Sequence, residues 1–393
     1  MKIGMVSEFF YPQPGGISEH IRALSRELRL RGHEVTVITS EIHGSVEERD
    51  PRVIRLGRSI PVRYNGAVSR VTLGRKLNRR MRALLEAESF DLLHIHNPHM
   101  PTLPLLALKN TNCPVVGTFH SNNPRDLGSA LFHPIMRRWV DHTAIRIAVS
   151  RTALKAAARH YPGDYRIVPN GVDYEFYSEA ADQSETHFPG LDPTKKKILF
   201  VGAAVKRKGL PYLLNAFTLL REKRDDLELV IVGDGPCRRR QQNRVPSELA
   251  ADVHFVGTVP RAKLADYYAS ADIFCAPSLG QESFGMVLLE AMAAGLPVSG
   301  FAIDGYTEVV KSGEDGILVP PKDVKALAES LAYFLDSREE CARFGHRGQI
   351  KARAHDWSEI ARQVETAYRE ALGEPHQEEL PFGEKSEAAK VGG

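Results

Sequence analysis

Short apolar runs alternate with amphipathic stretches along most of the chain. The run "KIGMVSEFF" opens the sequence, and residues 14–32 have the pattern of a loop followed by an amphipathic helix that Gly32 ends. Further short apolar runs are "HEVTVITS", "FDLLHIH", "PVVGTFH" and "RIAVS". Strand-like runs separated by helical patterns are typical of a parallel sheet with crossover helices. The first part of the chain is therefore predicted to be an α/β, Rossmann-like domain.

The same pattern restarts after a polar, turn-rich stretch at residues 169–196. It begins again at "KKILFVG" and continues through "LELVIVGDG", "VHFVGTV", "DIFCAPS" and "PVSGFAI". This repetition predicts two facing Rossmann-like domains with parallel sheets and a cleft between them. The predicted boundaries are 1–172 for the first domain, 173–355 for the second (with 173–195 as link and entry loop), 356–372 for a C-terminal helix that returns to the first domain, and 373–393 for a disordered tail.

Composition supports a two-domain globular protein. The 393 residues are too many for one ordinary core, and 42% hydrophobic with 26% charged residues is ordinary globular usage. The net charge is only +3, so any basic surface must be local. Four widely spaced cysteines suggest neither a zinc site nor a disulfide framework. No signal peptide and no membrane-length apolar run are visible, so we expect a soluble protein in a reducing cytoplasm that can still sit on a membrane surface.

Candidate ligand groups follow the strands, because ligands of open α/β sheets bind beyond the carboxyl ends of the strands. Gly15 and Gly16 precede a helix and leave backbone N–H groups accessible to an anion; the alternative is a tight strand-to-helix turn. His120 follows "GTF" directly and can donate to a sugar hydroxyl or a leaving oxygen. The alternative is a histidine satisfied by its own loop.

A cationic loop follows the first strand of the second domain. Lys206, Arg207 and Lys208 lie between "ILFVG" and Gly209. Three cations at a strand end suit a diphosphate. The alternative is a solvated basic loop.

Two glutamates bracket the helical stretch "QESFGMVLLEAMAAG". If Ser283 caps a helix that begins near Phe284, the N–H groups from Phe284 to Val287 form an anion cradle. Glu282 then lies at its mouth and Glu290 about 9 Å further along. Each carboxylate can accept hydrogen bonds from paired hydroxyls, which predicts a site for a sugar nucleotide; a capping acid and a surface acid are the alternative.

The stretch "ESFGMVLLEAMAAG" resembles the E-x7-E element of retaining glycosyltransferases of family four, which have the GT-B fold. Near-matches to the family's other elements fall in order at "PGGISEH", "GTFHS", "PNGVD", "VGAAVKRKG" and "GDGP". The resemblance covers roughly residues 1–370. The first domain has a closer resemblance still to bacterial phosphatidyl-myo-inositol mannosyltransferases, through "IPVRYNGAVSRVTLG" and "LLHIHNPHMPTLPLLAL".

The resemblance implies a role for each matching residue. His120, Glu282 and Lys208 would be catalytic. The residues implied to bind the donor are Gly15, Gly16, Arg207, Lys208, Glu282, Phe284, Gly285, Met286, Val287 and Glu290. Tyr64, Asn65 and Arg70 would face the inositol phosphate of the acceptor.

The resemblance also implies the reaction and its setting. A hexose, favoured to be mannose from GDP-mannose over a sugar from a UDP donor, would move to a phosphatidylinositol-type lipid with retained anomeric configuration. No D-x-D motif is visible, and neither a metal nor a cofactor is expected. The expected location is the inner face of the cell membrane, on an anionic surface, with no nucleic-acid partner.

Two positions depart from the family pattern. Ala203 stands where the family usually has arginine, and Arg207 or Lys206 is the candidate replacement. Pro260 and Arg261 stand where related mannosyltransferases place an acid for guanine. Two further hypotheses therefore stay open: a soluble enzyme that uses a UDP-sugar and a small acceptor, and a non-catalytic sugar-nucleotide binder.

A basic amphipathic stretch, residues 73–85, bears on the acceptor. Leu73, Leu77, Met81 and Leu84 have helical spacing on one face. Such a helix can lie on anionic lipid, or its apolar stripe can pack on the first domain and leave the cations solvated. The cations that flank the stripe are Arg75, Lys76, Arg79, Arg80 and Arg82.

Overall fold

The structure is a computed structural model that describes residues 1–13, 15–42, 52–64, 67–120, 133–182 and 191–374. The chain forms two compact units. Unit 1 comprises Met1–Asn170 and Trp357–Gly393, and unit 2 comprises Gly171–Asp356. Unit 1 is thus discontinuous in sequence, whereas unit 2 is one uninterrupted stretch.

The strands of unit 1 range from two to twelve residues in length. In chain order they are β1 Lys2–Val6, β2 Glu34–Glu41, β3 Val53–Tyr64, β4 Ala67–Leu73, β5 Leu92–His96, β6 Val115–Phe119, β7 Ile145–Ala148 and β8 Arg166–Ile167. Those of unit 2 are β9 Lys196–Val201, β10 Leu227–Val232, β11 Val253–Gly257, β12 Ile273–Ala276, β13 Val298–Phe301 and β14 Ile317–Val319.

Helices connect most of these strands. They are α1 Gly16–Leu30, α2 Leu77–Glu88, α3 Leu103–Asn110, α4 His133–Val140, α5 Arg151–Ala158, α6 Tyr174–Asp182, α7 Leu210–Arg221, α8 Arg238–Gln242, α9 Arg261–Ala269, α10 Met286–Ala293, α11 Asp304–Thr307, α12 Val324–Asp336, α13 Arg338–Ala354 and α14 Trp357–Ala371. Single 3₁₀ turns lie at Lys206–Lys208 and Ser247–Leu249.

Each unit is built on a mostly parallel sheet. Within the described residues, the sheet of unit 1 has the order β4-β3-β2-β1-β5-β6-β7-β8, and that of unit 2 has the order β11-β10-β9-β12-β13-β14. Neighbouring strands are parallel except β3 and β4, which are antiparallel. Strands β5 and β6 are buried along their whole length, as expected for a sheet covered on both faces. The predicted fold class, two parallel-sheet α/β domains, is confirmed.

The antiparallel pair β3 and β4 is the clearest addition to the predicted elements. Its strands pair from Arg58 opposite Leu73 to Tyr64 opposite Ala67. The connecting residues 65 and 66 lie outside the described residues. The pair occupies the edge of the sheet, where an antiparallel strand needs no crossover helix.

One stretch differs from the predicted local structure. Within the predicted link, residues Tyr174–Asp182 form helix α6, which packs against α9 and α10 of unit 2. The predicted disordered tail lies outside the described residues from residue 375 onwards.

The last helix belongs to unit 1. Helix α14 packs on α1, and Tyr368 from α14 lies 2.7 Å through its hydroxyl from Nδ1 of His94 in β5. Both side chains are fully buried. The C-terminal segment therefore completes the core of unit 1.

Candidate active site

The loop after β9 is fixed against the loop after β12. Gly209 has φ +69, and a Cβ there would lie 1.7 Å from the carbonyl oxygen of Pro277. The Leu279 N–H also donates to the carbonyl oxygen of Arg207, at 2.7 Å. Only glycine fits a backbone approach this close at positive φ. The contact places the Lys206–Lys208 turn beside the loop that carries Glu282.

Two cations of that turn converge on one carboxylate. Nζ of Lys208 lies 2.8 Å from Oε1 of Glu282, and Nη1 of Arg207 contacts the same oxygen. The side chains of Lys208 and Glu282 are 12% and 14% exposed, so the pair is largely shielded from water. Lys206 is exposed. The cationic loop and the first acid, both predicted from sequence, thus form one cluster.

The environment of Lys208 keeps its ammonium charged. Burial lowers the pKa of Lys208, but the neighbouring Tyr306 and Glu282 outweigh burial and raise the pKa above its ordinary value. Burial also raises the pKa of Tyr306, so its phenol is neutral at neutral pH and Glu282 is the charge that balances the ammonium. A charged, partly desolvated lysine is suited to stabilising an anionic leaving group.

Tyr306 supports the start of helix α10. Its hydroxyl lies 2.8 Å from Oγ of Ser278, and a Cβ at Gly285 would lie 2.8 Å from its ring. A Cβ at Gly305 would lie 2.2 Å from the carbonyl oxygen of Glu282. Two glycines thus allow the backbone of the Glu282 loop to pack between neighbouring elements.

The predicted cap of helix α10 is wrong. The helix begins at Met286, and Gly285 with φ +100 occupies the N-cap position without a side-chain cap. Ser283 lies before the cap, because the left-handed turn at Gly285 delays the helix by two residues. The first N–H groups of the helix still lack partners within it. Phe284 is buried, whereas Met286 and Val287 are partly buried.

The second predicted acid has a structural partner. The hydroxyl of Tyr268 donates to Oε2 of Glu290 at 2.8 Å. Burial raises the pKa of Tyr268 well above its ordinary value, so the phenol keeps its proton. Glu290 is half-buried, one turn into α10, on the helix whose start carries Gly285. Tyr268 therefore orients this carboxylate.

The two departures from the family pattern have defined surroundings. Ala203 is exposed just after β9. Arg261 is held by Oδ2 of Asp173 at 2.8 Å and lies 4.4 Å from the ring centroid of Phe176. Pro260 is the N-cap of α9.

In unit 1, His120 follows β6 directly and belongs to a buried histidine cluster. Its Nε2 lies 3.0 Å from Nδ1 of His96, and its backbone N–H donates to Oδ1 of Asn97 at 2.9 Å. The His20 ring centroid lies 4.7 Å from that of His120, and the His94 ring lies 4.2 Å from that of His96. His120 is the most exposed of the four, at 7%.

Burial keeps these imidazoles neutral. It lowers the pKa of His20 to about 4 and that of His94 to about 3, and it lowers the pKa of His96 and His120 well below the ordinary value. Neighbouring histidines lower the last three further. A neutral His120 can donate from one nitrogen and accept at the other.

The N-terminus of α1 is open. The helix begins at Gly16 with Gly15 as its N-cap, and a Cβ at Gly15 would meet no atom within 4 Å. Pro14 lies outside the described residues. The open backbone fits an approaching ligand, although glycine is not forced there by packing.

The predicted acceptor residues are only partly described. Tyr64 ends β3, its side chain is not among those described, and Asn65 lies outside the described residues. Arg70 lies in β4 opposite Pro61 and donates from Nη1 to Oγ of Ser59 at 3.3 Å.

A buried glutamate anchors this edge of the sheet. Oε1 of Glu8 accepts a hydrogen bond of 2.5 Å from Thr72, and Oε2 accepts from Thr102 and from the N–H of Leu103. Glu8 thus joins β4 to the N-terminus of α3. Burial raises its pKa, and hydrogen bonds from Thr102 and Thr72 partly offset that effect.

The basic stretch at residues 73–85 is divided between two elements. Leu73 ends β4 and is 54% exposed, so it is not part of the predicted helix. Leu77 and Met81 of α2 are buried in the core of unit 1, together with Leu85. The apolar stripe therefore packs on its own domain, as the alternative interpretation held. All five predicted cations, Arg75, Lys76, Arg79, Arg80 and Arg82, are exposed.

Several site residues were not predicted from the sequence. They are Glu8, His20, His94, His96, Tyr268 and Tyr306. The two histidines of β5 were visible as alternate positions of one predicted strand, "FDLLHIH", which places both on one face. Nothing in the local sequence indicates that Tyr268 and Tyr306 reach Glu290 and the start of α10.

Comparisons with known proteins define the class of this site. Residues 14–176 match the family profile described as Glycosyltransferase Family 4, and residues 182–351 match that described as Glycosyl transferases group 1. Sucrose-phosphate synthase from Thermosynechococcus elongatus is similar in structure, with a TM-score of 0.75 at 24% identity over 95% of this chain and 99% of that one. The protein is a glycosyltransferase with the GT-B fold.

The most informative relatives are similar along nearly the whole chain. The phosphatidyl-myo-inositol mannosyltransferase of Mycobacterium leprae (strain TN) is 35% identical over 370 residues, which are 94% of this chain and 96% of that protein. The protein of the same name from Mycobacterium tuberculosis (strain CDC 1551 / Oshkosh) is 35% identical over 379 residues, which are 95% and 98%. The chain therefore belongs to glycosyltransferase family 4, which confirms the resemblance seen in the sequence.

Among the described helices, none is both long enough and apolar enough to cross a membrane.

Proposed function

We propose that this glycosyltransferase moves mannose from GDP-mannose to a phosphatidylinositol-type lipid at the inner face of the cell membrane, with retention of configuration. The names of relatives that are similar over about 95% of the chain support the donor sugar and the acceptor. The catalytic part of this proposal rests on the cluster of Arg207, Lys208 and Glu282 beside the start of α10.

The cluster suits the departure of a nucleoside diphosphate. Lys208 and Arg207 share one carboxylate oxygen, and a bound diphosphate offers these cations a second anionic partner. Glu282 can then accept hydrogen bonds from hydroxyls of the transferred sugar. The N–H groups at the start of α10 add positive potential at the same place. Fixed charges of this kind stabilise a leaving anion without a metal.

The remaining donor contacts follow the same logic. Glu290, oriented by Tyr268, would accept hydrogen bonds from the ribose hydroxyls. Gly15 and Gly16 would let the diphosphate approach the N-terminus of α1. His120 would donate a hydrogen bond to the transferred sugar, with His96 fixing its ring.

On the acceptor side, Tyr64, Asn65 and Arg70 would contact the inositol phosphate. Arg75, Lys76, Arg79, Arg80 and Arg82 would attract the protein to anionic lipid. Since Leu77 and Met81 are buried, the attraction rests on these exposed cations and on Leu73 rather than on an exposed apolar helix face.

A second candidate is a UDP-sugar-dependent enzyme with a small soluble acceptor. The observation in its favour is that Pro260 and Arg261 replace the acid that would bind guanine, and that Asp173 and Phe176 hold Arg261 in place. The third hypothesis, a non-catalytic binder, rested on Ala203. Arg207 weakens it, because a guanidinium is present in the same cluster as Lys208.

One experiment separates the three. The purified chain is given GDP-mannose, GDP-glucose, UDP-glucose or UDP-galactose with vesicles that contain phosphatidylinositol, and nucleotide release and glycolipid are both measured. Glycolipid formed from GDP-mannose alone supports the proposal. Turnover of a UDP-sugar onto soluble inositol phosphate or a free sugar supports the second candidate, and nucleotide binding without release from any donor supports the third.

A further inference from the structure

Three histidines from different elements meet in the core of unit 1. His20 comes from α1, His96 from the end of β5 and His120 from the residue after β6. One nitrogen of each lies within 4.8 Å of the others. Their exposed fractions are 2%, 1% and 7%. Imidazole groups gathered in this way are the usual ligands of zinc, copper and nickel in proteins.

The surroundings of His20 prepare it as a ligand. Its Nδ1 lies 2.8 Å from Oδ1 of Asn170, and an amide oxygen can only accept, so Nδ1 carries the proton. The Nε2 lone pair is then bare, and that atom is buried with no hydrogen-bond partner among the described residues. Metal-binding histidines are oriented in the same way, by a hydrogen bond from the second ring nitrogen to an oxygen.

His96 has the same feature. Its Nδ1 is bonded to Nε2 of His120, and its own Nε2 is buried without a partner among the described residues. Unpaired polar atoms of this kind are uncommon in folded proteins and point to an unexplained ligand. His94 provides the contrast, because its two nitrogens lie 2.7 Å from the hydroxyls of Tyr368 and Thr118.

We propose that His20, His96 and His120 bind one divalent transition-metal ion, with Zn²⁺ as the representative case. Three neutral imidazoles leave a fourth coordination position open for water. Because Zn–N bonds are about 2.0–2.1 Å long, the rings must close in slightly and the bond between His96 and His120 must be exchanged for ligation. His120, the most exposed of the three, is the point of entry.

This metal site shares His120 with the reaction proposed above, and no metal takes part in that reaction. The ion would instead withdraw His120 from the substrate. Mg²⁺ should not compete, because that ion prefers oxygen ligands and the cluster offers nitrogen.

The test measures metal binding by the full chain without donor or acceptor. After equilibrium dialysis against Zn²⁺, metal analysis should find one tightly bound ion per chain. His20→Ala and His96→Ala should each weaken binding by about 100-fold or more, because each removes a ligand. Loss of a group that only orients a ligand already costs up to about 100-fold. Asn170→Ala, which removes only the orienting hydrogen bond, should weaken it by about 10- to 100-fold. His142→Ala removes an exposed histidine and should leave binding unchanged.

A second measurement needs no variant. The visible absorption of bound Co²⁺ distinguishes nitrogen from oxygen ligands, and wild type should show a spectrum of nitrogen ligation that Zn²⁺ abolishes. The proposal is overturned if Co²⁺ shows only oxygen ligation, or if folded His20→Ala and His96→Ala proteins bind Zn²⁺ as wild type does. Since no substrate is present, these outcomes are independent of whether the proposed glycosyl transfer is correct.

Discussion

Nζ of Lys208 lies 2.8 Å from Oε1 of Glu282, and Arg207 contacts the same carboxylate oxygen. One carboxylate thus balances two cations, of which Lys208 is largely buried and Arg207 is 39% exposed. A bound diphosphate would compete with Glu282 for these cations, so donor binding and the release of Glu282 toward the sugar are coupled.

Lys208→Ala should lower turnover by about 10²-fold or more, because a preorganised charge opposite the departing diphosphate is lost. Steady-state nucleotide release measures the effect. Lys206→Ala is the matched control, since that lysine belongs to the same turn but is exposed, and it should keep near-normal turnover. Near-normal turnover of Lys208→Ala would show that Arg207 carries the charge instead.

Glu290→Gln should weaken binding of the free nucleoside diphosphate by about tenfold, the equivalent of one or two hydrogen bonds. Glu282→Gln should leave that affinity nearly unchanged and lower transfer, because its proposed partner is the sugar. Calorimetric titration and turnover together measure the two effects. Tyr268→Phe removes the orienting hydroxyl but keeps the Glu290 carboxylate. Its effect on nucleotide affinity should be smaller and measures how much the positioning of Glu290 contributes. Equal loss of nucleotide affinity in Glu282→Gln and Glu290→Gln would contradict the division of roles.

Replacing Arg79, Arg80 and Arg82 with Ser should reduce binding to anionic vesicles by about two decades. Each cation near such a surface contributes about 1 kcal/mol, and 1.4 kcal/mol is about a decade. Co-sedimentation at low and high salt measures the effect, because salt screens the attraction. Nucleotide affinity should not change.

The matched control for that set replaces Arg239, Arg240 and Arg244 of unit 2 with Ser, which removes the same number of exposed charges but leaves the proposed surface unchanged. Equal losses of vesicle binding in both variants would show that the effect depends only on net charge. If wild type ignores anionic vesicles even at low salt, the lipid acceptor loses its main physical support and a soluble acceptor becomes the better hypothesis.

Acid should destabilise unit 1 through its buried histidines. Burial lowers the pKa of His20 from 6.5 to about 4, so below about pH 6.5 the unfolded chain takes up a proton that the folded state excludes. Stability contributed by the neutral ring is present above pH 6.5 and falls as the pH approaches 4. The loss is on the order of 3 kcal/mol for His20, at about 1.4 kcal/mol per pKa unit.

Hydrogen exchange of the β5 and β6 amides at several pH values measures this loss. His20→Gln should flatten the dependence, whereas His142→Gln, at an exposed histidine, should retain it. Stability of these strands that stays constant between pH 7 and pH 4 would show that the cluster takes up protons without cost.

Much of the fold was readable from the sequence because its strands are short apolar runs bounded by turns. The strand "FDLLHIH" and the helix that Gly32 ends correspond to β5 and α1, and Gly32 has φ +85. The start of α10 was misplaced because Ser283 is a good cap locally, while the left-handed turn at Gly285 depends on the ring of Tyr306, which is distant in sequence.

The basic stretch at residues 73–85 shows a second limit of prediction from the sequence. The spacing of Leu77 and Met81 predicts an apolar helix face but not what that face meets, and in the structure it meets the core of unit 1. Leu73 has the same spacing yet ends a strand, because β4 pairs with β3 up to that residue. The carboxylate shared by Arg207 and Lys208 was likewise beyond the sequence, since it depends on the approach of Gly209 to Pro277.

The discontinuity of unit 1 also sets an order of events during synthesis. Unit 2 is encoded by one uninterrupted stretch, so all of it has been synthesised before α14 is made, and none of its own residues come from α14. Synthesis of unit 1 begins first but is completed last, because His94 and α1 gain their packing partners only when Tyr368 and the rest of α14 have been made. A chain truncated before Trp357 would therefore contain a complete second unit and a first unit with an incomplete core. Folding of the N-terminal half thus depends on an intact C-terminal helix.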